Sequence, residues 1–262
     1  MDYKVNVLSV GRTMVPGPEI FWMDKFGEWL PLNFNIVVIQ GQGNTILVNT
    51  GPSKEMIPTL NELWVDKIFN TEKARLKVSE DEHIENALAS IGVNIEDVDY
   101  VVVTPFQSYA IGNINLFSNA TICLSKKGWI NFHAPKWKEH PHDVRDFCIP
   151  EENLIYLETE AWDRVKLLED EDEIVDGVTT FWTGTHHRHS VAIKIESSAG
   201  TVVTSDSFFY FENIEDRYPI GIMESMEEAL EAYDRIKKES DLIIPLYDPK
   251  VYERYPNGVV AD

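Results

Sequence analysis

Short apolar runs alternate with helical periodicities along the whole chain. Residues 35–40 and 45–49 are apolar stretches on either side of Gly41-Gln42-Gly43-Asn44, which supplies the positive φ angles of a hairpin. They predict paired antiparallel strands. Over residues 53–69, Met56, Leu60, Leu63, Trp64 and Ile68 recur at helical spacing behind Ser53, a suitable N-cap. A second helix is predicted over 79–91, opened by Ser79-Glu80-Asp81-Glu82 in the manner of a capping box and stopped by Gly92. The β-branched run at 98–103 reads as a buried strand, and 120–124 as another. Between 131 and 163 periodicity gives way to Trp, His, Pro and charge, which predicts an elaborated loop with short helices. Strands follow at 178–183, 191–196 and 201–204, with Ser197-Ser198-Ala199-Gly200 as the turn between the last two. An amphipathic helix over 226–238, a strand over 242–245 and a helix over 248–254 end the pattern.

No Pro/Gly/Ser-rich linker, repeat or low-complexity segment interrupts this alternation, so one α/β domain over residues 1–262 is expected. Charge narrows the partners. With 23 Lys plus Arg against 44 Asp plus Glu, the formal charge of −21 opposes approach to nucleic acid or anionic lipid. A small molecule or a protein is the better partner. No basic leader precedes the first residues and no stretch approaches the roughly 18 apolar residues of a membrane span, so a cytoplasmic protein is expected. Cys123 and Cys148 are too few for a disulfide framework, and Cys123, inside an apolar run, reads as core. The acidic run 169–173 lacks the ligand period of a calcium loop and reads as a solvated loop. Trp22, Phe26 and Trp29 have helix-like spacing; core packing is the first expectation, a pocket wall or a dimer contact the others.

Chemistry concentrates in Thr104-Pro105-Phe106-Gln107-Ser108-Tyr109-Ala110-Ile111-Gly112-Asn113. This run resembles the Thr-His-x-His-x-Asp-His-x-Gly-Asn turn of the metallo-β-lactamase superfamily, with Pro105 and Gln107 at the first two histidine positions and Tyr109 and Ala110 at the Asp-His pair. Val48-Asn49-Thr50-Gly51, Thr204-Ser205-Asp206-Ser207 and Pro245-Leu246-Tyr247-Asp248-Pro249 resemble further anchor segments, the last of them the ending of the N-acyl homoserine lactonase branch. Together they span about residues 35–258. The resemblance implies a four-layer αβ/βα sandwich, two mixed sheets flanked by helices.

It also implies that Asp206 stands at the bridging-aspartate position, that Tyr247 replaces the last histidine and that Asn49 replaces an early aspartate. The middle histidine belongs in Thr183-Gly184-Thr185-His186-His187-Arg188-His189-Ser190-Val191; alignment on Ser190-Val191 puts Arg188 there, and a slip of one residue puts His187 or His189. Two carboxylate-bridged ions each need three or more suitable donors, and Gln107, Tyr109 and Ala110 do not supply them. No metal or other cofactor is therefore expected. A residual single-ion site would combine the histidine loop and Asp206 with His133, His140 or His142.

The expected site is instead a polar pocket. Tyr109, His187, Asp206 and Tyr247 are its catalytic candidates, and Gln107, His186, Arg188 and His189 its substrate-binding candidates. One imidazole of the loop would act as base or nucleophile, oriented by Asp206, while tyrosine hydroxyls and the Gln107 amide stabilise an oxyanion. Trp137, His140 and Arg145 would shape access. Two functions follow: a metal-independent hydrolase-like activity on a lactone, ester or amide-like small molecule, or an inactive family member that binds a ligand or pairs with an active metallohydrolase homologue. Homo-oligomerisation fits either.

Overall fold

The computed structural model describes residues 2–136 and 145–262. Strands β1 (Lys4–Pro16), β2 (Trp29–Gly41), β3 (Asn44–Val48), β4 (Tyr100–Val102), β5 (Thr121–Ser125) and β6 (Val165–Leu168) form one sheet, closed at its far edge by β12 (Val259–Ala261). Its order is β12-β1-β2-β3-β4-β5-β6, antiparallel from β12 to β3 and parallel from β3 to β6. The second sheet runs β11-β10-β9-β8-β7, from β7 (Glu171–Val175), β8 (Val178–Trp182), β9 (Val191–Ser197), β10 (Gly200–Ser205) and β11 (Leu242–Pro245). Only β10 and β11 are parallel within it, so both sheets are mixed.

The helices are α1 (Gly17–Ile20), α2 (Met56–Asn61), α3 (Ile84–Ala89), α4 (Ser108–Ile111), α5 (Lys126–His133), α6 (Arg145–Cys148), α7 (Glu151–Glu158), α8 (Phe211–Glu215), α9 (Met226–Glu239) and α10 (Val251–Arg254). They flank two sheets whose facing residues make one continuous apolar core. The central strands show why. Ile46, Leu47 and Val48 of β3, Val101 and Val102 of β4, and Ile122, Cys123 and Leu124 of β5 are wholly buried, as expected of strands covered on both faces. Cys123 is core, as expected, and burial pushes its thiol up to about 12. Among the described residues no helix is long and apolar enough to cross a membrane.

Several predicted elements need correction. The 53–69 helix is α2 followed by a π-helix over Glu62–Ile68, whose wider turn keeps Leu63 and Trp64 on one face. The capping box at Ser79 forms, but it closes a single 3₁₀ turn. Glu82 is pulled inward, taking hydrogen bonds from the Ser79 amide (2.9 Å) and the Ser9 hydroxyl (2.8 Å) and pairing with Arg12 (2.8 Å), and the chain is extended at His83 before α3 begins. The acidic run is an edge strand: Glu171, Asp172 and Glu173 lie in β7, with Asp172 held by Lys166 (2.9 Å). Charged side chains on an edge discourage pairing with another chain. Trp22 and Phe26 are exposed in the turn after α1, and Trp29 opens β2; none of them is core.

Candidate functional site

The strand ends converge on one polar network. At the end of β3, Asn49 adopts a left-handed φ of 64°, a conformation that asparagine tolerates better than most residues. Its amide clamps Thr104 beyond β4, donating to the Thr104 carbonyl (2.7 Å) and accepting from the Thr104 N–H (2.8 Å). The Thr104 hydroxyl in turn donates to one oxygen of Asp206, which follows β10. Ser190 donates to the other oxygen at 2.6 Å and accepts the His187 N–H at 3.0 Å. Both oxygens of the wholly buried Asp206 are thus engaged by hydroxyls. Burial raises its carboxyl to about 6 against the opposing pull of these hydroxyls and of His187.

Above this network lies a cavity of about 410 Å³. Gln107, Ser108 and Tyr109 at the start of α4 line it, with His186 and His187 from the loop after β8 and Tyr247 after β11. Its apolar wall includes Phe34 of β2, Leu60 of α2, Leu63 and Trp64 of the π-helix, Phe209 and Ile222. The rings of Phe34, Trp64 and Tyr109 cluster, with centroids 4.9 Å apart for Phe34 and Tyr109 and 5.9 Å for Phe34 and Trp64.

Hydrogen bonding fixes the two imidazoles differently. His186 Nδ1 lies 2.9 Å from the Ile222 carbonyl oxygen. A carbonyl only accepts, so Nδ1 carries the proton and the Nε2 lone pair faces the Tyr109 hydroxyl, 3.5 Å away. His187 Nε2 lies 3.3 Å from the Gln107 amide nitrogen, which is itself 3.5 Å from the Cys148 sulfur. The two rings pack at 4.0 Å. Tyr247 is buried, and burial first, then the neighbouring Tyr109 and Asp206, holds its phenol well above the ordinary range. Its hydroxyl makes no hydrogen bond of standard geometry, nor does the buried Ser108 hydroxyl.

Of the residues singled out from sequence, Gln107, Tyr109, His186, His187 and Tyr247 share the cavity. Three others lie elsewhere. Asp206 sits beneath it in the Thr104 and Ser190 network. His189 stands behind the wall, its ring stacked on Phe106 at 4.7 Å with Nδ1 accepting the Phe106 N–H at 2.9 Å. There α5 passes so close that a Cβ on Gly128 would fall 2.3 Å from the His189 Cβ. Arg188 turns away from the cavity, over the Trp182 ring at 4.5 Å and into a pair with Glu228 at 2.5 Å, while His186 and His187 line the cavity.

His133 is also remote from this cluster, its ring tilted against Trp129 with centroids 4.5 Å apart and its Nε2 2.7 Å from Glu158. Arg145 packs over the Phe132 ring at 4.2 Å. Trp137, His140 and His142 lie outside the described residues. Among the described residues no group of three or more His, Cys, Asp or Glu side chains is arranged to hold a metal ion. Ser108 and Glu19 are among the cavity-lining residues that sequence reasoning missed. Ser108 was hidden at a variable position of the turn, and Glu19 of α1 follows a strand whose bulge obscures its period. Burial alone raises the Glu19 carboxyl to about 7.

No family model matches the chain. Among curated proteins it is similar to an N-acyl homoserine lactonase of Bacillus cereus, with 25% identity over 237 residues that cover 90% of this chain and 87% of the relative. An N-acyl homoserine lactonase of Bacillus thuringiensis is 23% identical over the same coverage. Among solved structures, an N-acyl homoserine lactone hydrolase with N-hexanoyl-L-homoserine at its catalytic metal centre superposes with a TM-score of 0.77 at 22% identity, covering 97% of both chains. A probable metal-dependent hydrolase from Staphylococcus aureus gives 0.68 at 16% identity, over 94% of this chain and 90% of the other.

Proposed function

The chain has the metallo-β-lactamase fold and resembles N-acyl homoserine lactonases in sequence, and from that premise we propose a hydrolase-like protein that acts on a small lactone, ester or amide through its own side chains. One observation carries this reading: the cavity gathers an imidazole whose tautomer is fixed, two tyrosine hydroxyls and a serine hydroxyl against an apolar wall. Such convergence of polar groups in a largely apolar cavity is the usual form of a small-molecule site.

The donors do not fit a pair of metal ions. His187 faces Gln107, Asp206 is bonded by two hydroxyls, and the remaining positions hold Pro105, Tyr109, Ala110 and Tyr247. Asp206 and the imidazoles alone would leave two ions short of donors, since neutral Gln107, Tyr109 and Ala110 are poor ligands. No step is therefore routed through metal.

In the proposed reaction a water held in the cavity attacks the carbonyl carbon, and His186 Nε2 takes its proton. The carbonyl π pair moves onto oxygen, which accepts hydrogen bonds from the Ser108 hydroxyl and from the Tyr247 hydroxyl, the latter turning from its neighbour Tyr109. Collapse of the adduct expels the alkoxide or amine, which recovers the proton from the His186 imidazolium. Tyr109, within reach of His186 Nε2, orients the ring and shields it. His187 and Gln107 brace one another, and Asp206 holds the loop through Ser190; all three are positioning residues in this scheme.

The test begins with elemental mass spectrometry on untagged protein incubated with zinc, manganese and iron, then dialysed. Substoichiometric metal is expected; one or two equivalents retained would overturn the metal-independent mechanism. Turnover is then measured on a panel of aryl esters and lactones. His186→Ala and Tyr247→Phe should each lower kcat/KM by about 10²-fold with little change in Tm. If both keep full turnover, the assignment fails. A stabilising ligand that is never converted would favour the inactive, ligand-binding relative instead.

A further inference from the structure

Glu19 is out of place in the cavity it lines. The surrounding wall is aliphatic and aromatic, and among the described residues the carboxylate has no hydrogen bond or ion pair. Half-buried there, an ionised group loses part of its hydration, a cost that a fitted partner of opposite charge would offset. The upward shift of its carboxyl to about 7 by burial alone agrees with a group awaiting such a partner.

Two further observations point to the sign and shape of that partner. The rings of Phe34, Trp64 and Tyr109 form a cluster on the same cavity, with Trp64 and Tyr109 6.1 Å apart, an apolar surface suited to the body of a ligand. The formal charge of −21 gives the whole molecule a field that draws cations in and keeps anions out. Elsewhere in the cavity the buried hydroxyl of Ser108 makes no hydrogen bond of standard geometry and can take a neutral polar group.

We infer that the cavity selects an amphiphilic organic cation, an ester, lactone or amide carrying a protonated amine, whose ammonium pairs with Glu19 while its apolar body lies on Phe34, Trp64 and Tyr109. The inference rests on the reading above that this cavity receives the substrate. It makes Glu19 a specificity-determining residue that takes no part in bond breaking.

The experiment is isothermal titration of the intact protein at about pH 8, where an alkylamine is protonated and Glu19 ionised. Hexylammonium, hexan-1-ol and hexanoate are compared on the wild type, Glu19→Gln and Leu63→Trp, the last filling the cavity from its wall. Hexylammonium should bind at least about tenfold more tightly than hexanol, with hexanoate weakest. Glu19→Gln should erase the gap between ammonium and alcohol while leaving alcohol affinity unchanged, and Leu63→Trp should weaken all binding. Equal affinity for ammonium and alcohol in the wild type, or a preference that survives Glu19→Gln, overturns the inference and leaves the cavity reading standing. Absence of binding by every probe, or binding indifferent to Leu63→Trp, overturns both.

Discussion

Asp206 illustrates how one buried carboxylate can tie separate segments of the chain together. In this chain its two oxygens accept hydroxyls from Thr104 and Ser190, and Ser190 passes the constraint to the His187 backbone. Its folded-state carboxyl lies at about 6, above the ordinary value near 4, so the folded protein holds more protons than the unfolded chain between those values. This group's contribution is therefore fully present below about pH 4 and is lost as pH rises through about 6, by up to about 3 kcal/mol. Asp206→Asn cannot titrate. The stability of the wild type relative to this variant should fall from pH 4 to pH 6 when urea midpoints are compared, and parallel pH profiles would refute the shift. Glu19→Gln should show the same sign over a window reaching about 7, weakened by the partial exposure of Glu19.

At the scale of elements, the turn after β4 is held from below by a neutral residue. The Asn113 side chain donates to the carbonyls of Thr50 (2.8 Å) and Pro52 (3.1 Å), tying the exit of β3 to the end of α4. Gly112 lies so close that a Cβ there would sit 2.5 Å from the Ser53 nitrogen. Asn113→Ala leaves buried carbonyls unpaired, and should cost about 2–4 kcal/mol in chemical denaturation with an unchanged m-value. A loss below about 0.5 kcal/mol would mean that the turn is self-supporting. The same packing gives Gly112-Asn113 its part in the turn: the pair serves the backbone junction.

The predicted elements fared according to how local their causes are. The strand over 242–245 and the helix over 226–238 match β11 and α9 closely, because apolar period and the Ser225 cap are written in adjacent residues. β1 was not read as a strand, since the bulge between Ser9 and Gly11 shifts its alternation midway. The helix over 79–91 was broken by a long-range event, the burial of Glu82 against Ser9 and Arg12.

For the molecule as a whole, the excess of 44 acidic over 23 basic residues is carried largely at the surface, where pairs such as Lys4 with Asp262 are well exposed. Exposed pairs contribute little, whereas like-charge repulsion summed over −21 disfavours the compact state. Raising NaCl from about 0.05 to about 0.5 M should therefore raise Tm by a few degrees in calorimetry. A fall would show that local ion pairs outweigh the net field.

The sequence pattern by itself determined an α/β chain, because apolar runs, helical stripes and turn residues act over a few neighbours, while the four-layer αβ/βα arrangement followed from the resemblance of its anchor segments. The resemblance also pointed to Gln107, Tyr109, His186, His187, Arg188, His189, Asp206 and Tyr247 at strand and loop ends. Only the tertiary structure decided which of these face the cavity. In the histidine loop, successive side chains point to different sides, so packing against Ile222, Gln107, Glu228 and Phe106 assigned His186 and His187 inward, Arg188 outward and His189 to the wall. It alone brought in Glu19 from the first strand's end, since a lone carboxylate gains its meaning from what surrounds it in space, which no neighbour in sequence records.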